Sequence, residues 1–375
     1  MPASGIIDLV IGLTFVFGVT AALASAVTEL ISRWLGLRGA YLLTGLRELV
    51  DSGNVSTDLS QANTAYHEMQ DMMRSGQAPA APAQPPSATS ALLGGPILSS
   101  QGMTGQISSR RLTLAPAGKE GRLPKMTADR QAGSLWEQRR SLPSYISAKS
   151  FAEAVVDLVV PDAAGQTSMD VILANVQALP DSPLKQALLA LVKNADNDMG
   201  QFRTGIERWY DDHMDRVSGW YKRHVAKITL AAGAILVVLL NINALTIGRT
   251  LYTESAVSSA VSTVAAKVTS CSANESRSEC LANLEGQLSA AAAAGLPIGW
   301  GTVRDCTEPN AQCNWLDQRG IFSRHGNSGW QLVLVIVGFL FMIISVLPGA
   351  QFWFGLLSKI GSLSTTGPKP AAAGS

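Results

Sequence analysis

The sequence predicts an all-α integral membrane protein with three transmembrane helices, a cytoplasmic helical domain and a small disulfide-stabilised periplasmic loop. Three observations carry this: three long apolar runs, an uneven distribution of Lys and Arg around them, and four cysteines confined to one interval. Of 375 residues, 47% are hydrophobic and 15% charged, with a mean hydropathy of +0.18. An ordinary globular domain carries about 25% charged residues. The 29 Lys and Arg nearly cancel the 28 Asp and Glu. No global field therefore argues for nucleic-acid binding or for electrostatic capture of an acidic substrate.

Ile6 to about Val27 holds one charge, Asp8, while Ile228–Gly248 and Gln331–Gly349 hold none. Each run approaches the roughly 20 residues that a helix needs to cross the hydrocarbon core, and buried helices of soluble proteins seldom lack charge over that length. Ala24-Ser25-Ala26 resembles a signal-peptide cleavage site, but no Lys or Arg precedes Ile6. The run is also longer than a usual signal core, which favours a retained helix.

Orientation follows from basic residues near the span ends. Arg33, Arg38 and Arg47 follow the first run and Arg216, Lys222, Arg223 and Lys227 precede the second; the opposite flanks carry only Arg249, Arg319 and Arg324. The positive-inside rule then makes the N-terminus periplasmic and the C-terminus cytoplasmic in a bacterial inner membrane. Cys271, Cys280, Cys306 and Cys313 all fall in the segment placed outside, where two disulfides can form in three connectivities. Their C-x8-C and C-x6-C spacings do not resemble the close pairs of zinc ribbons, so disulfides are preferred over a metal.

Eight intervals result: transmembrane helix 1 (1–34), cytoplasmic amphipathic helices (35–74), of which Leu35–Val50 suits a helix along the membrane surface, a flexible Ala/Pro/Ser-rich linker (75–142) and a cytoplasmic helical domain ending in a pre-membrane helix (143–225). Transmembrane helix 2 (226–248), the four-cysteine loop (249–330), transmembrane helix 3 (331–349) and an interfacial helix with the tail (350–375) complete the chain. The linker's composition cannot bury enough apolar area to repay chain entropy, although Leu92-Leu93 and Ile97-Leu98 offer a docking stub within it. Phe151, Val155, Leu158 and Val159 predict a helix over 148–160, ended before Pro161. A second helix follows Ser168, and a third starts with Ser182 as N-cap and Pro183 in the first turn. No alternating strand of useful length appears in this domain, which argues against a nucleotide-binding sheet.

In residues 202–225, Ile206, Trp209, His213 or Met214, Val217, Trp220 and Tyr221 share one helical face. Trp209, Trp220, Tyr221, Lys222 and Arg223, with Phe352, Trp353 and Phe354 near the C-terminus, are the candidate membrane-interface residues, because aromatic rings and basic groups suit the headgroup layer. Asp211, Asp212, His213 and Asp215 could suggest a metal site; interleaved Arg208 and Arg216 favour an ion-paired face instead. Inside the spans, Gly18, Ala22 and Ala26 lie at four-residue spacing and let another helix approach, and Asn241 and Asn243 are the polar groups that must find partners.

The string IERWYDDHMDRVSGWYKR, with the blocks PSYISAKSF (143–151), NINALTIGRTLY (241–252), LPIGW (296–300) and PGAQFWFGLLSKI (348–360), resembles a family of uncharacterised bacterial multi-pass inner-membrane proteins. Asn243, Gln351 and Gly355 depart from that family's pattern, which has Asp-like, Pro and Asp positions there. The resemblance implies topology and no activity.

No nucleophile elbow, phosphate loop or dinucleotide fingerprint occurs, and no catalytic residue, cofactor or metal is assigned. The expected role is a non-enzymatic, membrane-anchored scaffold or adaptor. Its partners would be the lipid bilayer and either copies of itself, as a homo-oligomer, or other membrane or cytoplasmic proteins, with no nucleic acid. A subunit of a channel or transporter, with a pore lined by the Asn pair, is the alternative.

Overall fold

Long apolar runs and amphipathic stretches fold here as helices, and the computed structural model divides them between two compact units: Met1–Leu30 with Val225–Ser375 (unit 1), and Ile31–His224 (unit 2). It describes residues 3–51, 56–75, 87–100, 112–115, 122–128, 134–140, 142–160, 168–266, 277–299 and 329–365. Helix α1 (Ala3–Trp34) opens the chain.

Unit 2 is built around α2 (Leu37–Val50), which follows α1 through a turn at Gly36, held at φ 60°. Expected to lie on a membrane surface, α2 is instead a core helix: Leu43, Leu46, Leu49 and Val50 are buried, and so is Arg47, at 2% exposure. Its would-be polar side is covered because Gly39 and Gly45 leave notches for Leu142 and Val217, and Arg47 donates to the Ala115 carbonyl. Burial lowers the Arg47 pKa.

Around α2 lie β1 (Thr57–Asp58), α3 (Ala62–Ser75), α4 (Ala88–Gly94), α5 (Pro96–Ser99), β2 (Leu112–Leu114), β3 (Met126–Ala128) and α6 (Leu135–Arg140). The strands form a small antiparallel sheet in the order β1-β2-β3, with Thr57 opposite Leu114 and Thr113 opposite Thr127. The unit is thus mostly helical rather than purely so; strands of two or three residues are too short to leave a periodic signal. The interval expected to be a linker also contributes core: Leu92, Leu93, Leu98, Leu112 and Leu114 are at most 2% exposed. These few leucines, hidden in an Ala/Pro/Ser-rich composition, suffice because α3 covers those of α4 and the helix Ala148–Val159 packs on α4 and α5, while Leu112 and Leu114 lie in the small sheet.

The next three helices fall where their caps and spacing predict: α7 (Ala148–Val159), α8 (Met169–Ala178) and α9 (Pro183–Asn194). Ser147 accepts from Ser150 N–H, and Ser182 from Lys185 N–H, each satisfying a first-turn donor. The part of α10 (Met199–Leu239) that belongs to unit 2 buries Phe202, Ile206, Tyr210, His213 and Val217. Tyr210, rather than Trp209, is the central aromatic residue of this stripe: it stacks on Phe151 at 4.5 Å and donates to the Ile146 carbonyl at 2.9 Å.

Unit 1 contains the remainder of α10, α11 (Ala244–Thr253), α12 (Ser255–Ala266), α13 (Arg277–Ala293), α14 (Gly329–Ser345) and α15 (Ala350–Thr365). Its core joins Phe15, Val16 and Val19 of α1 to Val237, Ile247, Leu251, Val261, Leu284 and Met342. Among the described residues one helix, Ile6–Trp34, is long and apolar enough by itself to cross a membrane. Two bent pairs, α10 with α11 and α14 with α15, raise the number to three if each pair is one crossing. Ile336, Leu340, Phe341 and Ile344 of α14 are 48–62% exposed, an apolar face that water would not tolerate over such an extent.

Asp51, just past α2, ties unit 2 together across the sequence. Its carboxylate accepts from Ser87 Oγ–H (2.7 Å), Ala88 N–H (2.7 Å) and Thr89 N–H (3.3 Å) at the start of α4. Burial pushes its carboxyl above the ordinary range, against the pull of the Ser87, Thr89 and Ala88 hydrogen bonds. Asp51→Ala should therefore destabilise the full-length protein by about 1–3 kcal/mol, the cost of stranding buried donors, read as a lower urea midpoint of the Trp emission change. A midpoint unchanged from wild type would mean that α4 does not depend on this remote cap.

Candidate functional site

The second apolar run is broken. α10 stops at Leu239, α11 starts at Ala244, and the two are bent by 53°. Asn241 adopts φ 46°, the left-handed region that Asn enters more readily than other side chains bearing a Cβ. The backbone groups freed by the break are satisfied one by one. Ile242 N–H reaches back to the Val237 carbonyl at 3.0 Å, and Gly299 N–H donates to the Leu240 carbonyl at 2.7 Å. Asn241 Nδ2 returns a bond to the Gly299 carbonyl at 3.1 Å.

Asn243 is the N-cap of α11. Its Oδ1 accepts from Leu245 N–H (3.1 Å) and Thr246 N–H (3.2 Å), and its Nδ2 donates to the Val335 carbonyl of α14 at 2.9 Å. Both asparagines are buried, at 4% and 5% exposure. Gly338, one turn beyond Val335, makes the approach possible, because a Cβ there would overlap the Asn243 amide. The pair thus forms a neutral clamp that repairs a broken backbone and ties it to α14. In hydrocarbon each such group left unsatisfied would cost several kcal/mol. Their amides are turned to backbone partners, which leaves them poorly placed to line a water-filled path.

The second bent pair makes an elbow. α15 turns 95° from α14, through Gly349 at φ 80°. Trp353 Nε1–H donates to the Ser345 carbonyl at 2.6 Å, closing the corner. The Trp353 ring meets Phe17 at 5.0 Å, and Gly18 of α1 is filled by Phe354 and Trp353. Gly18 therefore serves packing within the chain, beside the half-buried Ala22 and Ala26. Of the aromatic block, Phe352 is exposed, whereas Trp353 and Phe354 are half-buried against α1.

In unit 2, Trp209 packs on the helical core beside Phe151 at 6.3 Å, well before the apolar end of α10. Trp220 and Tyr221 are half-buried, and Lys222 and Arg223 exposed. Tyr221 accepts from Arg38 Nε–H at 3.2 Å and meets Tyr41 edge-on at 5.9 Å. His213 lies between two fixed partners, the Gly45 carbonyl at 3.0 Å from Nε2 and the Arg216 guanidinium at 3.1 Å from Nδ1. A carbonyl can only accept and a guanidinium can only donate, so His213 is a neutral Nε2–H tautomer with structural work, while Asp211, Asp212 and Asp215 are exposed. Among the described residues, no group of three His, Cys, Asp or Glu could hold a metal ion. Cys280, on α13, is disulfide-bonded; Cys271, Cys306 and Cys313 lie outside the described residues.

No family model matches the chain, and neither a curated protein nor a solved structure matches it.

The clamp was half legible in the sequence: Asn241 and Asn243 stood out as polar groups in an apolar run, but Gly338, their necessary counterpart, did not. Asn243→Ala and Gly338→Ala should each lower the thermal stability of the detergent-solubilised protein, by about 1–3 kcal/mol for stranded donors or overpacking. Because Ala at 243 vacates the space that a Cβ at 338 would invade, the double variant should cost less than the sum by about 0.5 kcal/mol or more. Strict additivity would show that the two positions do not interlock.

Proposed function

We infer that this protein is a non-enzymatic scaffold or adaptor anchored in the bacterial inner membrane, with unit 2 presented on the cytoplasmic side. The supporting observation is the state of Asn241 and Asn243: the polar side chains of the broken helix are buried and committed to backbone partners. The Nδ2 groups of both asparagines and the Oδ1 of Asn243 are thereby withdrawn from a passing ion or solute at the break, while unit 2 provides a folded surface on which Tyr145 (74%) and Val171 (48%) are exposed. The outward apolar faces of α10 and α14 favour three crossings, with the two bent pairs as the second and third. This topology puts the four cysteines outside, where a loop closed by two disulfides is chemically stable. The resemblance to uncharacterised bacterial multi-pass membrane proteins accords with it. Recruitment of other proteins suits the geometry better than self-association through α1, since Gly18 is already filled.

A channel or transporter subunit is the second reading, and the helix break itself favours it, because discontinuous helices carry the substrate and ion sites of many transporters. The two readings separate in one pair of measurements. As a scaffold, the protein reconstituted into vesicles leaves ion permeability at the lipid baseline, and a photo-crosslinker at Tyr145 in cells yields discrete adducts with a distinct polypeptide. Flux above baseline that Asn241→Leu abolishes would replace the scaffold with the channel.

A further inference from the structure

Helix α6 was expected to belong to a linker, yet it docks at the end of α1. Gly36, in the turn after α1, lies so close to the α6 backbone that a Cβ there would meet the Arg139 carbonyl carbon at 2.8 Å and Arg140 N at 2.9 Å. This contact stacks the Trp136 indole on Trp34, with ring centroids 5.3 Å apart and planes 13° from parallel. The stack is not covered by protein: Trp34 is 57% and Trp136 39% exposed. Beside it stand three arginines. The Arg139 guanidinium lies over the Trp136 ring at 5.8 Å, and Arg33 and Arg140 are exposed. The acid of the helix, Glu137, is engaged in a capping box, accepting from Ser134 N–H at 3.0 Å while Ser134 Oγ accepts from Glu137 N–H at 3.3 Å.

Depth and charge together identify the occupant. Ile6–Trp34 is 29 residues long, or about 43 Å at 1.5 Å per residue. A bilayer is about 30 Å thick in its hydrocarbon and about 40–45 Å with its headgroups. Trp34, last in that helix, therefore emerges at headgroup level, where indoles are favoured over either water or hydrocarbon. At that depth the exposed Arg33 and Arg140 meet lipid phosphates, Arg139, with Nε and Nη2 buried, adds its charge from behind the Trp136 ring, and the net positive charge selects anionic over zwitterionic lipid.

We propose that the stacked Trp34–Trp136 pair, with Arg33, Arg139 and Arg140, is a binding site for anionic phospholipid headgroups that fastens unit 2 to the leaflet beside α1. The proposal rests on the reading that Ile6–Trp34 crosses the bilayer. It assigns α6 a task beside the exit of α1: to add a lipid contact to the attachment that the continuous helices α1 and α10 already give the folded unit.

The test uses the full-length protein in phosphatidylcholine nanodiscs doped with brominated phosphatidylglycerol or brominated phosphatidylcholine. Quenching is read as the difference between wild type and Trp136→Phe, which isolates Trp136 emission. The brominated anionic lipid should quench Trp136 at lower mole fraction than the zwitterionic one, and Arg139→Gln with Arg140→Gln should weaken that preference about five-fold per arginine removed. Arg139→Lys with Arg140→Lys should restore most of it, since the charge is kept. Equal quenching by the two lipids, or none of Trp136 by either, would overturn the proposal, as would Trp136 crosslinking to protein in place of lipid. Resistance to carbonate extraction is measured alongside: its loss in the wild type sinks the membrane reading, whereas its persistence without lipid preference sinks this site alone.

Discussion

A polypeptide that interrupts a helix among apolar side chains must supply hydrogen bonds for the backbone groups it frees, and the clamp of Asn241 and Asn243 does this for unit 1. The Asn243 amide and one loop glycine, Gly299, take up partners that helix continuity would have provided, and the Asn241 amide holds that glycine in place. The same atoms fix neighbours in place. Nδ2 of Asn243 binds α14, and the position of Gly338 follows from the need to admit that amide. Satisfying the break and packing the helices are thus one event. The bend of 53° between α10 and α11 is the form the chain takes when both are met.

Unit 2 meets part of the same constraint by different means, leaving Arg47 Nε and Nη2 buried without a hydrogen-bond partner among the described residues. Its buried charges, Asp51 and Arg47, lie one helical turn apart at the end of α2 and each reaches a distant backbone: Asp51 the first turn of α4, Arg47 the carbonyl of Ala115. His213 does likewise with the Gly45 carbonyl. These long-range bonds hold in place segments whose composition is poor in apolar residues, and they explain how a stretch rich in Ala, Pro and Ser contributes to a core. Polar groups here fix which segments meet, and leucines such as Leu92, Leu93 and Leu98 supply the apolar contact once they have met.

What could be read in the sequence divides along the line between local and tertiary causes. Helices α7, α8 and α9 were legible because the spacing of Phe151, Val155 and Leu158, that of Ile172 and Val176, and the cap of Ser182 with Pro183 act within one or two turns. The amphipathic reading of α2 failed because Arg47 and the notches at Gly39 and Gly45 have meaning only beside Ala115, Leu142 and Val217. Tyr210, four residues after Ile206, carries a local signal for its place in the stripe, whereas the larger ring of Trp209 lies at its edge. The helix break had a local sign too, since Asn is both a good N-cap and a good left-handed residue, but it was masked by a run without charge. The stacking of Trp34 on Trp136, about a hundred residues apart, had none.

The closed and dry character of the break between Leu239 and Ala244 is the claim on which the functional reading depends. Hydrogen exchange of the full-length protein in nanodiscs measures it directly, through the amides of Ile242, Leu245 and Thr246. The clamp predicts that these exchange as slowly as the adjoining turns of α10 and α11. Exchange at the rate of an open loop would place water at the break, contradict the clamp and turn the site into a solvated path.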